Sequence, residues 1–149
     1  MSGALKDRIM EDVKMCMRSK DATRLSTLRM LQAALKQREV DERITLSDAD
    51  VVRIVEKMIK QRREAAVQFT EGKRLDLAEK EIAEIAYLDI YLPLAASDVE
   101  IAAAVSKAMA DTGASSPADM GRVMAILKTE LQGRADMAAI SALVKAQLA

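Results

Sequence analysis

The chain has 149 residues, of which 50% are apolar and only 2% are aromatic. Its 23 basic and 23 acidic residues give a net charge of zero, so no global field draws it onto nucleic acid or a membrane. It has no histidine, the commonest general base, and its single cysteine, Cys16, excludes an internal disulfide and a thiolate metal cluster. A core built from Leu, Ile, Val, Met and Ala favours helix, and we predict an all-α fold.

The first part of the chain predicts an N-terminal bundle of about four helices. Apolar residues recur at helical spacing in four segments, at about residues 5–20, 22–43, 48–71 and 75–92. Ser47, with Asp50 three residues later, has the pattern of a capping box before the third helix, and Gly72 is placed to end that helix. Pro93 ends the fourth helix and is the expected domain boundary.

The remaining 57 residues predict a small C-terminal domain of three helices, with only five basic and six acidic residues after Pro93. Helix-start and helix-stop residues divide it into three segments. These signals are Ser97 with Glu100, Gly113, Ser116-Pro117, Gly133 and Asp136. We therefore predict two separate helical domains, residues 1–92 and 93–149, with few contacts across Pro93.

The first residues and the hydropathy pattern bear on location. The opening segment, MSGALKDRIMEDVK, alternates charged with apolar positions and does not have the pattern of a signal peptide. Nowhere do about 18 apolar residues run together, as an ordinary membrane span requires. These features predict a cytoplasmic protein without a membrane segment.

No pattern in the sequence points to catalysis. Five scattered glycines form neither a dinucleotide fingerprint nor a phosphate-binding loop. The pair Ser115-Ser116 fits a helix cap better than a nucleophile, because no convincing base accompanies it. We expect no catalytic residue, no metal site and no cofactor.

One basic island interrupts the otherwise balanced charge. Residues 53–64, RIVEKMIKQRRE, contain five basic and two acidic residues. Helical geometry places Arg53, Lys57, Lys60 and Arg63 opposite the apolar stripe, as an exposed ribbon. This ribbon fits either a phosphate-binding strip or a solvated helix face held by charge pairs at four-residue spacing.

Arg62 is predicted to lie on the apolar face of the third helix, where a charged side chain needs a partner. On the fourth helix, Glu81 lies among apolar positions. The two residues are at nearly the same height on either side of the turn near Gly72. We predict that Arg62 and Glu81 form a structural ion pair.

Five segments of the chain carry a resemblance to a known family. The segments are RLSTLRML at 24–31, IKQRRE at 59–64, YLP at 91–93, MGRVM at 120–124 and GRAD at 133–136. Through them the chain resembles, nearly end to end, the YqeY family. Members of that family are similar to the C-terminal helical and tail regions of the B subunit of glutamine-dependent, tRNA-linked amidotransferases. One departure is Met137, where the family commonly has glycine.

The resemblance implies a tRNA partner, because the tail of the amidotransferase subunit is implicated in contacting tRNA while other regions carry the chemistry. We predict a non-catalytic tRNA-associated binding module. An assignment of the family as carbon-nitrogen ligase with glutamine as amide donor would come from the larger enzyme and not from this chain. An alternative is a protein-interaction module docking on an amidotransferase or synthetase complex, or an accessory protein of that chemistry. The predicted nucleic-acid-binding residues are Lys57, Lys60, Arg63, Gly121, Arg122, Lys128, Gly133 and Arg134.

Overall fold

The computed structural model describes residues 3–149, and every regular element in that range is helical, which confirms the predicted all-α class. The chain divides into two compact units, one ending at Leu92 and the other running from Pro93 to Ala149. The helices are α1 Ala4–Ser19, α2 Ala22–Glu42, α3 Asp48–Glu71, α4 Leu75–Asp89, α5 Asp98–Thr112, α6 Met120–Leu131 and α7 Met137–Leu148, with a 3₁₀ helix at Pro117–Asp119.

The N-terminal unit packs α1 to α4 around one aliphatic core. Cys16 is buried in this core, and Tyr91 is the one aromatic residue of the core. Burial of one Val, Leu, Ile or Met side chain stabilises the fold by roughly 1.5–3 kcal/mol relative to leaving that side chain exposed. The buried members are Ile9, Val13, Cys16, Leu28, Leu31, Leu35, Leu46, Val51, Ile54, Val55, Met58, Ile59, Leu88 and Tyr91.

Local sequence explains where these helices begin and end. The Ser47 hydroxyl accepts a hydrogen bond from the Asp50 amide at 3.2 Å, and the Asp50 carboxylate accepts one from the Ser47 amide at 3.0 Å. The predicted capping box at the start of α3 is therefore formed. At the ends of α1 and α2, Lys20 and Arg43 adopt left-handed backbone with φ of 59° and 55°.

The α4 helix differs from its prediction. The sequence pattern aligns Ala78, Ile82 and Leu88 on one apolar face; Ala78 and Leu88 are buried, but Ile82 is 58% exposed and Glu84 is buried instead. Leu75, Ile82 and Ala86 give α4 a second apolar face, so the apolar pattern alone did not determine which face meets the core.

The C-terminal unit packs α5, α6 and α7 around a second aliphatic core. Ser97 and Glu100 form the predicted capping box at the start of α5, and Gly113, with φ of 64°, ends that helix in the left-handed conformation. Ser116 and Pro117 begin the 3₁₀ helix that leads into α6. The buried members of the core are Val105, Ala108, Val123, Leu127, Leu131, Ile140, Val144 and Leu148.

Within the part of the chain that the structure describes, no helix is both long enough and apolar enough to cross a membrane.

Candidate nucleic-acid interface

The basic face of α3 is the largest cationic surface that the sequence predicts, and we call it the α3 ribbon. Arg53, Lys57, Lys60 and Arg63 are all exposed to solvent. Arg53 and Arg63 are ten positions apart, which is about 15 Å along a helix. Arg53 donates a hydrogen bond to Asp50 at 2.8 Å, so part of its charge is already balanced.

Arg62 lies on the opposite face of α3 and forms an ion pair with Glu84, which corrects the predicted pairing with Glu81. The Arg62 Nε donates to the Glu84 carboxylate at 3.0 Å, and the two side chains are only 12% and 9% exposed. Arg62 also donates to the Met58 carbonyl at 3.2 Å. Helical side chains lean toward the N-terminus of their helix, so Arg62 leans away from the turn while Glu84 leans toward it. The partner on α4 therefore lies one helical turn beyond Glu81.

The predicted tail residues of α6 lie together on one exposed face. Gly121, Ala125 and Lys128 follow one another at helical spacing, with Arg122 beside them, and all four are exposed. A Cβ built on Gly121 would have no heavy atom within 4 Å, so the backbone here lies open to a ligand. Ala125 thus lies between the cations Arg122 and Lys128 along the helix, and Gly121 lies directly before Arg122.

An acidic residue holds Arg122 in place. Asp119 accepts hydrogen bonds from the Ser115 amide at 2.9 Å and the Ser116 amide at 3.2 Å, and it pairs with the Arg122 guanidinium. The Ser115 amide, then Arg122, then the Ser116 amide lower the pKa of Asp119 to about 2. Asp119 is therefore ionised at neutral pH, and a phosphate would compete with it for Arg122.

Gly133 and Arg134 have roles inside the C-terminal unit. Gly133 has φ of 76°, a left-handed conformation that glycine adopts without steric cost, in the turn between α6 and α7. The Arg134 Nε donates to the Leu94 carbonyl at 2.9 Å and its Nη2 to Glu100 at 2.6 Å. The Arg134 carbonyl accepts from the Ala96 amide at 2.7 Å. Arg134 therefore holds residues 94–100, and its guanidinium is already engaged.

One polar cluster was missed by sequence reasoning. Tyr91 is 2% exposed and donates to the Asp12 carboxylate at 2.6 Å, while the Arg8 guanidinium lies 5.0 Å from the ring centroid. Burial first, and then Asp12, raise the pKa of Tyr91 well above its usual range, and Arg24 opposes this shift. The only signal in the sequence was a tyrosine at an apolar position, whose hydroxyl needs a partner when buried.

The fold and these surfaces define a two-unit helical protein with cationic helix faces. The protein family described as "YqeY: Yqey-like protein" matches residues 6–148 of the chain. The chain belongs to this family, and the resemblance inferred from the five sequence segments is confirmed.

Curated relatives come from several fungi. An uncharacterised protein of Schizosaccharomyces pombe is 32% identical over 99 residues, covering 66% of this chain and 77% of that protein. "Altered inheritance of mitochondria protein 41, mitochondrial" of Kluyveromyces lactis is 34% identical over 111 residues, covering 72% of this chain and 60% of that one. The protein of the same name in Pyrenophora tritici-repentis is 29% identical, covering 81% and 70%.

The names of these relatives correct the expected location. Several of them are named as mitochondrial proteins, so the cytoplasmic expectation is wrong. The physical reason is that core composition and hydropathy do not distinguish helical proteins of the two compartments. Location is specified by address signals rather than by the fold.

Proposed function

We propose that this protein is a non-catalytic module that binds structured RNA of the tRNA class through backbone phosphates. The observation that carries the proposal is the α3 ribbon, in which Arg53, Lys57, Lys60 and Arg63 all face solvent along about 15 Å of helix. The resemblance to the tRNA-linked amidotransferase tail supplies the partner. Cations spaced along one face attract the phosphate backbone without reading bases.

The exposed face of α6 supports the same proposal from the second unit. Arg122 remains 62% exposed at its side chain despite its pair with Asp119. The open backbone at Gly121 lets a phosphate approach the helix closely, and Lys128 adds charge two turns later. We assign Arg134 a supporting role only, because its guanidinium is engaged within its own unit.

Selectivity in this proposal comes from RNA shape rather than from base stacking. The chain has only three aromatic residues, Phe69, Tyr87 and Tyr91. Tyr91 is buried and the other two are half-buried, so little aromatic surface is free to stack on unpaired bases. A structured RNA is therefore a better partner than a single strand.

Titration of the full chain with total tRNA at several salt concentrations tests the proposal. Three to five phosphate contacts should give a slope of about −3 to −4.5 in log affinity against log salt, at roughly −0.9 for each contact. The variant Lys57→Gln/Lys60→Gln/Arg63→Gln should weaken binding and make the slope shallower by about 3 if all three residues contact phosphate. Arg122→Gln should reduce the slope by about 1.

The matched control is Lys14→Gln/Lys80→Gln/Lys107→Gln, which removes the same charge from exposed positions outside both faces. It should bind nearly as well as the wild type. Equal losses in the two triple variants would show a nonspecific charge effect, and no binding at low salt would remove the RNA assignment. In either case, docking on a protein complex becomes the better account.

A further inference from the structure

Two adjoining hollows follow the outer face of α2. The first, of about 440 Å³, lies between α1 and α2, with Ile9, Met10 and Leu35 among its lining residues. The second, of about 500 Å³, runs along α2 past Ala22, Leu25 and Met30. Ala33 lines both, so the two adjoin at this residue, and we call them together the α2 groove. Its lining residues on α2 run from Ala22 to Glu39, a length of about 26 Å or nearly five helical turns.

The lining of the α2 groove is mainly apolar, and its charged residues are Lys6, Arg29, Lys36 and Glu39. Arg29 and Lys36 line its two parts, are exposed, and lie seven residues apart on the same face of α2, which is about 10 Å. Among the residues that the structure describes, no carboxylate pairs with either of them. Lys6, by contrast, is held by Glu39 at 2.7 Å. Two cations are thus available at the spacing of two helical turns.

We propose that the α2 groove binds an acidic amphipathic helix of another protein. Leucine-like side chains of that helix would enter the two hollows, and carboxylates two turns apart would pair with Arg29 and Lys36. Met10 and Met30, which are 43% and 42% exposed, lie in the two hollows. Flexible thioether side chains adapt well to a partner's apolar surface, and grooves of this kind bind helices by their apolar face.

Charge favours a foreign partner over a second copy of this chain. In a two-fold symmetric contact, each copy would present the same surface, so Arg29 and Lys36 would meet the partner's Arg29 and Lys36. Like charges brought together in this way oppose association, whereas an acidic helix is attracted. The proposal is independent of RNA binding, because it uses α2 rather than the α3 ribbon.

The test uses the full chain and a synthetic peptide of about four helical turns. The peptide has a leucine stripe and two glutamates seven residues apart, and a second peptide has lysines in place of the glutamates. With ¹³C-labelled methionine methyl groups, the glutamate peptide should shift the signals of Met10 and Met30. Met15 and Met17 are exposed outside the groove and should not shift. The lysine peptide should bind more weakly.

Two variants distinguish binding in the α2 groove from nonspecific binding of the peptide. Ala33→Gln places a side chain where the hollows join and should weaken peptide binding on the order of tenfold. Its control is Ala86→Gln, at an exposed position on α4. Arg29→Glu/Lys36→Glu should reverse the preference between the two peptides, whereas Lys14→Glu/Lys80→Glu should not.

Three results would overturn the proposal. They are equal affinity of both peptides for the wild type, methyl shifts that include Met15 and Met17, and unchanged binding by Ala33→Gln. Concentration-dependent dimerisation in sedimentation that Ala33→Gln abolishes would assign the groove to a second copy instead. Because Lys57→Gln/Lys60→Gln/Arg63→Gln should leave peptide binding unchanged, failure of RNA binding does not affect this test.

Discussion

The ion pair of Arg62 and Glu84 shows how a single charged side chain constrains its surroundings. Both side chains are about nine-tenths buried, and the Met58 carbonyl accepts a further hydrogen bond from the guanidinium. A charge taken out of water is costly unless it is paired and hydrogen-bonded. Together the two residues therefore fix the register of α3 against α4.

Loss of one partner should be worse than loss of both. Arg62→Met or Glu84→Leu alone leaves an uncompensated charge and should lower the free energy of unfolding by on the order of 3–5 kcal/mol. The double variant should cost much less, because apolar side chains then occupy the site. Denaturant unfolding of the four proteins in the cycle measures this.

Glu81→Gln is the matched control for this cycle. Glu81 is on α4 one turn from Glu84 and is only half-buried, so its substitution should stay within about 0.5 kcal/mol of the wild type. Additive effects of the Arg62 and Glu84 substitutions would contradict the assigned pair.

At the scale of elements, one carboxylate joins α1, α2 and the loop before α3. Glu39, on α2, accepts hydrogen bonds from Lys6 of α1 at 2.7 and 2.8 Å, and from the Leu46 amide at 3.1 Å. Leu46 is fully buried, so this bond orients the loop that leads into α3. The Lys6 hydrogen bond, followed by that of Leu46, lowers the pKa of Glu39.

This lowered pKa predicts an acid-sensitive contribution to stability. Because the folded pKa of Glu39 lies below its unfolded value, the contribution is present above the unfolded pKa of about 4.3 and is lost as pH falls through the folded pKa. Glu39→Gln should therefore be less stable than the wild type at neutral pH, and the difference should shrink in acid. Thermal unfolding between neutral and acidic pH measures it.

Glu42→Gln provides the comparison for Glu39→Gln on the same helix. Glu42 pairs with Arg38 at 3.1 Å in a largely exposed pair four residues apart, which is worth about 0.3–0.5 kcal/mol. At neutral pH, Glu42→Gln should therefore change the free energy of unfolding by no more than about 0.5 kcal/mol. A pH-independent difference for Glu39→Gln would show that the Glu39 carboxylate does not act as described.

The helices and their caps were predictable from sequence because they depend on local spacing. Ser47 with Asp50, and Ser97 with Glu100, are contacts between residues three apart, and both form. The face of α4 that meets the core was not predictable from the apolar pattern. Either Ile82 or Glu84 could be buried, and the buried Arg62 on α3 favours Glu84 because it needs an ion-pair partner. The engagement of Arg134 was also hidden, since Leu94 is 40 residues away in sequence.

At the scale of the molecule, the segment after Pro93 is where the chain passes from one unit to the next. Leu94 is 85% exposed, yet its carbonyl is held by Arg134, and the Ala96 amide is bonded to the Arg134 carbonyl. Residues 94–96 are thus at least partly exposed to solvent but fixed by hydrogen bonds to Arg134. Their resistance to proteolysis should therefore depend on one arginine.

We predict that Arg134→Ala increases the rate of cleavage after Leu94 on the order of tenfold. Loss of hydrogen bonds made by a charged group destabilises the closed segment by roughly 1.5–3 kcal/mol. Because the protease cuts the locally opened chain, this loss should raise the rate of cleavage. Limited digestion with a protease that cuts after large apolar residues, followed by mass spectrometry, measures the rate. Lys128→Ala, an exposed substitution in the same unit, should leave it unchanged, and equal rates for both variants would refute the role of Arg134.

The hydrogen bond between Asp12 and Tyr91 also has a consequence for biosynthesis. The two partners are 79 residues apart in sequence. The contact can therefore form only after nearly the whole N-terminal unit has been translated. At about 5–20 residues per second, the wait is about 4–16 s on the ribosome. During that interval the core cluster that contains Ile9, Val13 and Cys16 of α1 lacks the Tyr91 side chain. A nascent chain that stops before Tyr91 should consequently be a better chaperone substrate than one that extends beyond it.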